Sequence, residues 1–585
     1  MRCNVLVGLS LLLVLSCTGS NDSLWLKADV PLEGEPACVW RILDHWDNLD
    51  DTVERGYAGP SIWEWTSETL PVRRIDTYGA LNEKLGINGV VLNNVNASPS
   101  VLDDPHLERV ARIADILRPH GIRVFLSVNF ASPSVLGGLP TSDPLDPQVI
   151  AWWHMKADRI YSLVPDFGGF LVKASSEGQS GPQDYGRTHT DGANMLADAL
   201  APYGGIVMWR AFVYSPGDRD RAMAAYDEFL PLDGTFRDNV CIQVKNGPID
   251  FQPREPFSPL FGAMERTPLA PELQITMEYL GQSSSLVFLA PMWEEFLHSD
   301  TYRDGAGSTV AAVTTSSSLP LIAGVANVGR DADWCGNLFN QANWYAFGRL
   351  AWDPSLSSET IAREWLRITF PKPPLMGEKK FSEGFIDPMV QLMLASHEAC
   401  VDYMMPMGLH HLFAWEHHFG PEPWCDVPGA RPDWMPSYYH QAGPGGIGFD
   451  RTVATGSGAV AQYREPLAAM FESPETCPEK YLLWFHHLGW DYRLPDGRIL
   501  WDALCMHYDS GVRQVREFCR IWKGMRPYVS ARRYKEVASL LDGNLQLACR
   551  WRDACLQYFA TFSGMPYPEG VEPPVVPLDS LMAGR

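Results

Sequence analysis

GFLVKASSEG (169–178) begins as an apolar, strand-like run and ends at a carboxylate, Glu177. Two later segments repeat the pattern and end at Asp250 and Glu278: CIQVKNGPID (241–250) and LQITMEYLG (273–281). Parallel strands that deliver acids at their C-terminal ends build the active site of a (β/α)8 barrel. Carboxylates on opposite sides of a cleft are what glycoside hydrolysis needs. The repeated pattern therefore predicts both a barrel and a hydrolytic site.

Strand-like runs alternate with helical patterns over residues 39–350, which is typical of βα units around a parallel sheet. The runs predicted as strands are 40–46, 89–95, 123–128, 169–174, 206–212, 239–245 and 273–278. Two further runs compete for the eighth position: 286–290 and 321–328. Seven or eight such units favour a closed barrel. An open doubly wound sheet stays an alternative, because spacing does not prove closure.

The pattern changes near residue 355, and helical segments dominate from there to the end of the chain. The longest predicted helices of this region cover 387–404, 499–525 and 530–562. A stretch rich in Pro, Gly, His and Trp interrupts them. Between the strand runs of 39–350, helices are predicted at 106–121 and 218–230. The predicted organisation is a signal peptide, a linker, a (β/α)8 barrel and a mostly α-helical C-terminal domain, at 1–17, 18–37, 38–354 and 355–585.

The N-terminus has the features of an export signal. Arg2 supplies positive charge, and the apolar run 5–15 is too short to span a bilayer comfortably. Residues 14–17 resemble a bacterial lipoprotein cleavage box, and a polar tether follows at 18–23. We therefore expect an exported protein in the periplasm or cell envelope that carries a lipid anchor at Cys17. An ordinary signal peptide is the alternative.

Composition excludes several functions. The formal net charge of the 585 residues is −23, so bulk neutralisation of nucleic-acid phosphates is not expected. The twelve cysteines form neither a CxxC pair nor a zinc-like cluster with histidine, so we expect no metal and no cofactor. The 21 tryptophans offer flat faces that suit sugar rings, although most could serve the core.

The three acids suit hydrolysis by their positions. Glu177 precedes Gly178 in a tight turn after a buried strand, where apolar surroundings would favour a protonated general acid. Asp250 and Glu278 end later strands, and together they could hold and deprotonate a water molecule. The alternative is structural, with Glu177 on a surface loop and the other two as helix caps or ion-pair members.

Three cations lie on consecutive strand runs: Lys173, Arg210 and Lys245. Positive charge inside a barrel is costly unless an anion meets it. The cations could pair with the three acids. They could also bind a substrate carboxylate, for which an arginine offers a bidentate fork.

Other polar groups remain ambiguous. The tracts 41–59 and 93–97 are rich in His, Trp, Asp or Asn, and they could cap helices, bind sugar hydroxyls or stack on a ring. Glu294 and Glu295 form a rival acidic pair, but they open what is predicted as a helix.

Several long motifs resemble the bacterial and fungal α-glucuronidases of glycoside hydrolase family 67, over residues 38–560. They are WRILDHWDNLDDTVERGYAG, GINGVVLNNVNA, GFLVKASSEGQSGPQDYGRTHTDGANMLADAL, QVKNGPIDFQPREPFSPLFGA, QANWYAFGRLAWDP and GIGFDRTVATGSG. The resemblance implies a barrel with a helical C-terminal domain. It also implies inverting hydrolysis, without a metal, of α-1,2-linked 4-O-methylglucuronic acid from the non-reducing terminal xylose of glucuronoxylan-derived oligosaccharides.

The family pattern gives roles to residues of this chain. It implies that Glu177 is the general acid and that Asp250 and Glu278 act as the base pair. The residues that it places around the substrate are Lys173, Arg210 and Lys245 at the uronate, Val95 at the methyl ether and Trp46 near the sugar. If the reaction inverts, we expect about 6.5–9.5 Å between the carboxyl of Glu177 and that of a base.

One departure is expected. Family members usually carry an N-terminal α/β domain, whereas about twenty residues separate the signal from the first barrel strand here. A homodimer through the C-terminal domain is expected by analogy alone. Two alternative functions stay open: an α-uronidase on a different uronate-bearing glycan, and a non-catalytic glycan-binding surface lipoprotein.

Overall fold

The computed structural model describes Trp25 and residues 28–212, 219–415 and 420–583. The predicted signal segment 1–17, with Cys17, lies outside the described residues. No helix among the described residues combines the length and apolar character that crossing a bilayer requires.

Eight parallel strands form a closed barrel in sequential order. Their bounds are β1 Trp40–His45, β2 Gly89–Val91, β3 Arg123–Ser127, β4 Gly169–Val172, β5 Ile206–Arg210, β6 Val240–Lys245, β7 Leu269–Gln274 and β8 Leu321–Ala326. The barrel closes where β1 pairs with β8, in a register that matches Trp40 with Leu321 and His45 with Ala326. This closure confirms the predicted (β/α)8 barrel and excludes the open sheet.

The strands are almost wholly buried because helices cover them from outside. Every residue of β4 to β8 is buried, as expected for an all-parallel sheet. The α-helices of the described residues are α1 Val72–Lys84, α2 Asp104–Leu117, α3 Ser132–Val135, α4 Pro147–Leu163, α5 His189–Leu200, α6 Ala224–Phe229, α7 Leu260–Ala263, α8 Ala290–His298, α9 Val310–Thr315, α10 Asn340–Trp352, α11 Ser358–Thr369, α12 Glu378–Phe381, α13 Asp387–Met404, α14 Pro436–His440, α15 Leu467–Glu472, α16 Leu482–Phe485, α17 Leu500–Gly524, α18 Ala531–Ser563 and α19 Leu578–Ala583.

Local sequence sets the starts of the barrel helices. α4 has Pro147 at its first position, and the side chain of Asp146 accepts the Gln148 N–H at 2.7 Å. α5 begins with a capping box, in which Thr188 and Asp191 each accept the other's backbone N–H. These caps fix the residues at which the connections after β3 and β4 enter α4 and α5.

Of the two runs that compete for the eighth position, 321–328 contains β8 and 286–290 is not a strand. The backbone N–H groups of Leu286, Phe288 and Leu289 donate to side chains of α18, α13 and α10, so they are not available to a sheet. The predicted bounds 273–278 are also wrong. β7 begins earlier and includes Pro271, a residue type that usually argues against a central strand, and Glu278 lies in the loop beyond it.

The C-terminal region is largely helical, as predicted. α13 spans the predicted range 387–404, and α17 and α18 agree with 499–525 and 530–562 to within one residue at each end. α13 packs against α17 and α17 against α18, and α13 also contacts α8 of the barrel. The predicted boundary between the two domains at 354 and 355 stays a prediction.

Candidate active site

A cleft of about 220 Å³ lies where the loops after four barrel strands meet the C-terminal region. Loops after β1, β4, β6 and β7 supply Arg55, Glu177, Asp250 and Tyr279, and residues 411–434 supply the rest of the lining. The lining residues from the C-terminal region are His411, Phe413, Ala414, Trp415, Cys425 and Trp434. The cleft therefore combines carboxylates from the barrel with an aromatic wall from the helical region.

Glu177 sits in a strained turn at the end of β4. Ser175 and Glu177 both have positive φ, at 53° and 50°, a conformation that non-glycine residues adopt rarely. The Gln179 N–H donates to the Ser176 carbonyl at 2.9 Å and closes the turn. The predicted tight turn is therefore present, and it presents the Glu177 carboxyl to the cleft.

Lys173 is buried below Glu177 and pairs with it directly. Its ammonium donates to the Glu177 carboxylate and, at 2.8 Å, to the Asn96 side-chain oxygen. Burial lowers the pKa of Lys173, while the negative charge of Glu177 acts in the opposite direction. Lys173 is thus connected to the cleft through Glu177, which lines the cleft.

Asp250 is surrounded by donors. Lys245 Nζ lies 2.6 Å from Oδ1, and the Tyr279 hydroxyl donates to Oδ2 at 2.9 Å. Arg221 Nη2 lies 3.5 Å from the same oxygen, and the Phe251 N–H donates to Oδ1 at 2.9 Å. These contacts fix the orientation of a carboxyl group that, when ionised, can accept a proton from water.

Glu278 is buried but linked to the cleft through Arg55. Arg55 Nε donates to Oε1 at 2.8 Å, and Gln274 at the end of β7 donates to Oε2 at 2.7 Å. Arg55 belongs to the polar tract 41–59 and lines the cleft beside Glu177 and Asp250. The structure thus brings two predicted acids into one cleft and connects the third to it by an ion pair.

Arg210 is held deep in the barrel rather than among the cleft-lining residues. Its Nε and Nη2 contact the two carboxylate oxygens of Glu272 at 2.9 and 2.6 Å. Gln243 donates to Asp44 at 2.6 Å nearby, and burial, assisted by the charge of Glu272, raises the pKa of Asp44 to about 8. The contact of Arg210 with a substrate carboxylate stays a prediction.

Two predicted substrate contacts are buried and do not line this cleft. Val95 is 4% exposed and Trp46 is 7% exposed. Among the described residues, the indole nitrogen of Trp46 is buried without a hydrogen-bond partner, as are those of several other tryptophans. The contact of Val95 and Trp46 with a sugar stays a prediction.

The rival pair has structural duties. Glu294 accepts the Ser358 N–H at 2.7 Å at the start of α11, and Glu295 pairs with Lys480 at 2.8 Å. Both lie on α8, away from the residues that line the cleft. They connect the barrel to the C-terminal region instead.

Several functional groups were missed or left ambiguous by sequence reasoning. Arg55 and Asn96 lie in the polar tracts 41–59 and 93–97, to which the sequence alone assigns no single role. Tyr279 directly follows Glu278. Glu272 lies inside a strand, where an acid next to apolar residues is itself a signal. The aromatic wall comes from the stretch rich in Pro, Gly, His and Trp, and no local pattern tells that it folds over the barrel.

The described residues offer no group of three or more His, Cys, Asp and Glu side chains that could hold a metal ion. The charged groups of the cleft are instead organised as cation–carboxylate pairs. A (β/α)8 barrel whose strand-end loops bring carboxylates to one cleft defines a glycoside hydrolase type of site.

The chain belongs to glycosyl hydrolase family 67. Residues 26–334 match the model of the middle domain of this family, and residues 335–572 match the model of its C-terminus. The first match covers the whole barrel up to β8, and the second covers the helical region that supplies the aromatic wall. The prediction of the family from the sequence motifs is confirmed.

Fungal relatives match over most of this chain. "Probable alpha-glucuronidase A" of Neosartorya fischeri is 42% identical over 547 residues, which are 91% of this chain and 63% of that protein. "Alpha-glucuronidase A" of Emericella nidulans is 40% identical over 559 residues, 92% of this chain and 64% of that protein. "Alpha-glucuronidase" of Hypocrea jecorina is 40% identical over 549 residues, 91% and 63% respectively. The matches thus span less than two thirds of these relatives' length.

Proposed function

We propose that this protein is an α-glucuronidase. It hydrolyses α-1,2-linked 4-O-methylglucuronic acid, with inversion, from the non-reducing terminal xylose of oligosaccharides derived from glucuronoxylan. The observation that carries the proposal is one cleft lined by Glu177 and Asp250, with Glu278 tied to it through Arg55. The names of the 40–42% identical relatives agree with this activity.

The base side of the reaction follows from the contacts of Asp250. A carboxylate that accepts hydrogen bonds from Lys245 and Tyr279 is held in a fixed orientation. Such a group can orient a water and accept its proton as the water attacks the anomeric carbon. Glu278, fixed by Arg55, supplies a second negative charge that supports the same water.

The acid side requires Glu177 to carry a proton. In the absence of substrate its carboxylate contacts the ammonium of Lys173. An incoming uronate would compete for that ammonium and add a negative charge beside Glu177. Both effects favour protonation, so an anionic substrate would itself generate the general acid that its leaving group needs.

The uronate also explains the number of cations. Lys173 and Lys245 belong to pairs whose carboxylates line the cleft, and Arg210 is held rigidly by Glu272. A substrate carboxylate can exchange partners with these pairs without leaving an unpaired charge behind. A neutral sugar could not do so, and this favours an acidic sugar as the substrate.

We also propose that the protein is exported and carries a lipid anchor at Cys17. The support is the sequence of residues 2–23, with its positive start, short apolar run and lipoprotein-like box. A homodimer through the C-terminal domain stays a prediction by analogy.

The test is release of 4-O-methylglucuronic acid from aldotriouronic acid by the purified protein. We expect release from the acid, strongly reduced release from its methyl ester, and none with Glu177→Gln. The control is Glu68→Gln, which changes an exposed glutamate outside the cleft. Equal rates on the acid and the ester would contradict the role of the cations, and a lack of release from any xylan-derived uronate would contradict the activity.

A further inference from the structure

The loop that carries Asp250 lies between β6 and α7, and it has no regular secondary structure of its own. The side chain of Asp250 is fixed by Lys245 and Tyr279, but these contacts do not hold the backbone of the loop. Since a displacement of about 1 Å at a reacting group can lower a rate on the order of 10²-fold, something must hold that backbone.

A second acid of the loop does this. The carboxylate of Glu255 accepts three backbone N–H groups, from Ile249 at 2.9 Å, from Asp250 at 3.0 Å and from Gln252 at 3.2 Å. Gly247 packs so closely that a Cβ there would lie 2.2 Å from Glu255 Oε2. The loop thus wraps around one carboxylate, and Asp250 is among the residues that it binds.

The buried position of Glu255 is unfavourable for an acid. Its residue is 8% exposed, and no cation is among its hydrogen-bond or salt-bridge partners in the described part of the chain. Burial raises the pKa of Glu255 to about 7, although the three N–H groups favour its ionised form. Keeping an acid in such a costly place indicates a function that an apolar residue could not perform.

We propose that Glu255 is a positioning residue for Asp250. Its carboxylate accepts the backbone N–H groups of Ile249, Asp250 and Gln252. It thereby fixes the backbone from which the Asp250 side chain extends. The inference rests on the proposed function for the role of Asp250, but the geometry of the loop does not depend on it.

The C-terminal region holds the same loop from outside. Arg254 forms two hydrogen bonds, at 2.9 and 2.5 Å, with the carboxylate of Glu398 on α13. His397, also on α13, lies 2.8 Å from the Pro253 carbonyl through Nε2. The helical region therefore contributes to Asp250 placement as well as to the aromatic wall, and Glu398 provides a second, milder way to perturb the loop.

Glu255→Gln is the sharpest variant because it keeps the size of the side chain. One of the two oxygens becomes an NH₂ group, and both oxygens accept backbone N–H groups. Whichever way the amide turns, at least one N–H of Ile249 or Asp250 then faces a donor. The loop must shift to relieve this contact.

A matched control exists at the opposite end of the barrel. Asp233 also accepts three backbone N–H groups, from Glu265, Arg266 and Thr267, in the connection that leads into β7. Asp233→Asn makes the same chemical change in a loop before a strand, the end of a barrel that serves stability rather than catalysis. It should lower the melting temperature and leave kcat unchanged.

The test measures kcat and KM on aldotriouronic acid for Glu255→Gln, Glu398→Gln and Asp233→Asn, together with a crystal structure of Glu255→Gln. We expect kcat to fall on the order of 10²-fold in Glu255→Gln and several-fold in Glu398→Gln, with KM nearly constant. The structure should show Asp250 displaced from Tyr279. Unchanged kcat in Glu255→Gln, or equal losses in Asp233→Asn, would overturn the proposal.

Failure of the proposed function gives a different result. A wild-type protein that releases no uronic acid contradicts the α-glucuronidase activity, but the crystal structure still decides the positioning role. If Glu255→Gln does not fold, Glu255→Asp decides it, because it keeps the carboxylate but shortens the side chain, and the same fall in kcat at nearly constant KM is expected while an unchanged kcat would overturn the proposal. An Asp250 carboxylate that keeps its contact with Tyr279 in Glu255→Gln would overturn the proposal in either case.

Discussion

A buried ion pair between the barrel and the C-terminal region allows a quantitative prediction. Arg451 is fully buried, and its Nε and Nη2 lie 2.7 and 3.3 Å from the two oxygens of Asp220, whose side chain is 1% exposed. Asp220 also accepts the Ser457 hydroxyl at 2.8 Å. Asp220→Asn removes the negative charge, keeps the volume and leaves Arg451 charged in a place that water does not reach.

The expected cost is about 3–5 kcal/mol, which is the usual penalty for breaking one side of a buried pair. Arg451 keeps its hydrogen bond to the Trp484 carbonyl at 2.6 Å, and its guanidinium stays 4.0 Å from the centre of the Phe449 ring. These contacts favour the lower end of that range. Arg221 directly follows Asp220 in the chain, and its Nη2 lies 3.5 Å from Asp250 Oδ2. A shift of this segment should therefore lower activity as well.

Urea unfolding monitored by tryptophan fluorescence measures the free-energy change. The control is Asp198→Asn, which breaks an exposed pair with Arg237 at 2.8 and 3.1 Å and should cost less than about 1 kcal/mol. The double variant Asp220→Leu with Arg451→Met should recover most of the loss, because it removes both buried charges. A cost for Asp220→Asn below about 1 kcal/mol would refute the argument that this pair anchors the two regions.

Three further predictions concern charge. Arg55→Met removes the charged donor to Glu278 and should lower kcat about 10- to 100-fold, whereas Arg118→Met, which breaks exposed pairs, should leave kcat unchanged. Burial raises the pKa of Asp44 from 3.8 to about 8, so its contribution to stability is fully present below pH 3.8 and is lost as the pH rises through 8. Thermal melts of Asp44→Asn should therefore show a smaller loss of stability between pH 3.8 and 8 than wild type. Burial opposes protonation of His507, but the carboxylates of Asp402 and Glu479 raise its pKa to about 9. Its contribution to stability is therefore full below pH 6.5 and is lost as the pH rises through 9, and thermal melts of His507→Gln should lack this loss.

The pH predictions can fail independently of the activity. A melting temperature of Asp44→Asn that follows the wild-type pH dependence would show that this carboxyl is ionised in the fold. Likewise, His507→Gln with an unchanged alkaline slope would show that the imidazole is neutral at pH 7. For Arg55→Met, a normal kcat would mean that Glu278 does not need its cation.

The sequence allowed the barrel to be predicted because its signal is local and repeated. Each strand is a short apolar run, and the acids follow at the strand ends, so Glu177, Asp250 and Glu278 could be named without a structure. The error at β7 has a local cause too. The apolar run placed the start of this strand too late, because β7 also includes Pro271, a residue type that is rare inside a parallel strand.

What could not be predicted depends on contacts between distant residues. The partner of Arg210 is Glu272, 62 residues later, and the partner of Glu278 is Arg55, 223 residues earlier. Phe413, like the rest of the aromatic wall, approaches the barrel only because α13 and its neighbours pack there. Such pairings are set by the closed fold, and no spacing rule in the chain encodes them.

The central claim is that Glu177 acts as the acid and that a water held by Asp250 and Glu278 attacks from the opposite face. Proton NMR of the first product released from aldotriouronic acid tests it most directly. Attack from the opposite face predicts that 4-O-methylglucuronic acid appears first as the β anomer and only later mutarotates. Initial appearance of the α anomer would contradict the account, since it would require a covalent intermediate on one of these carboxylates.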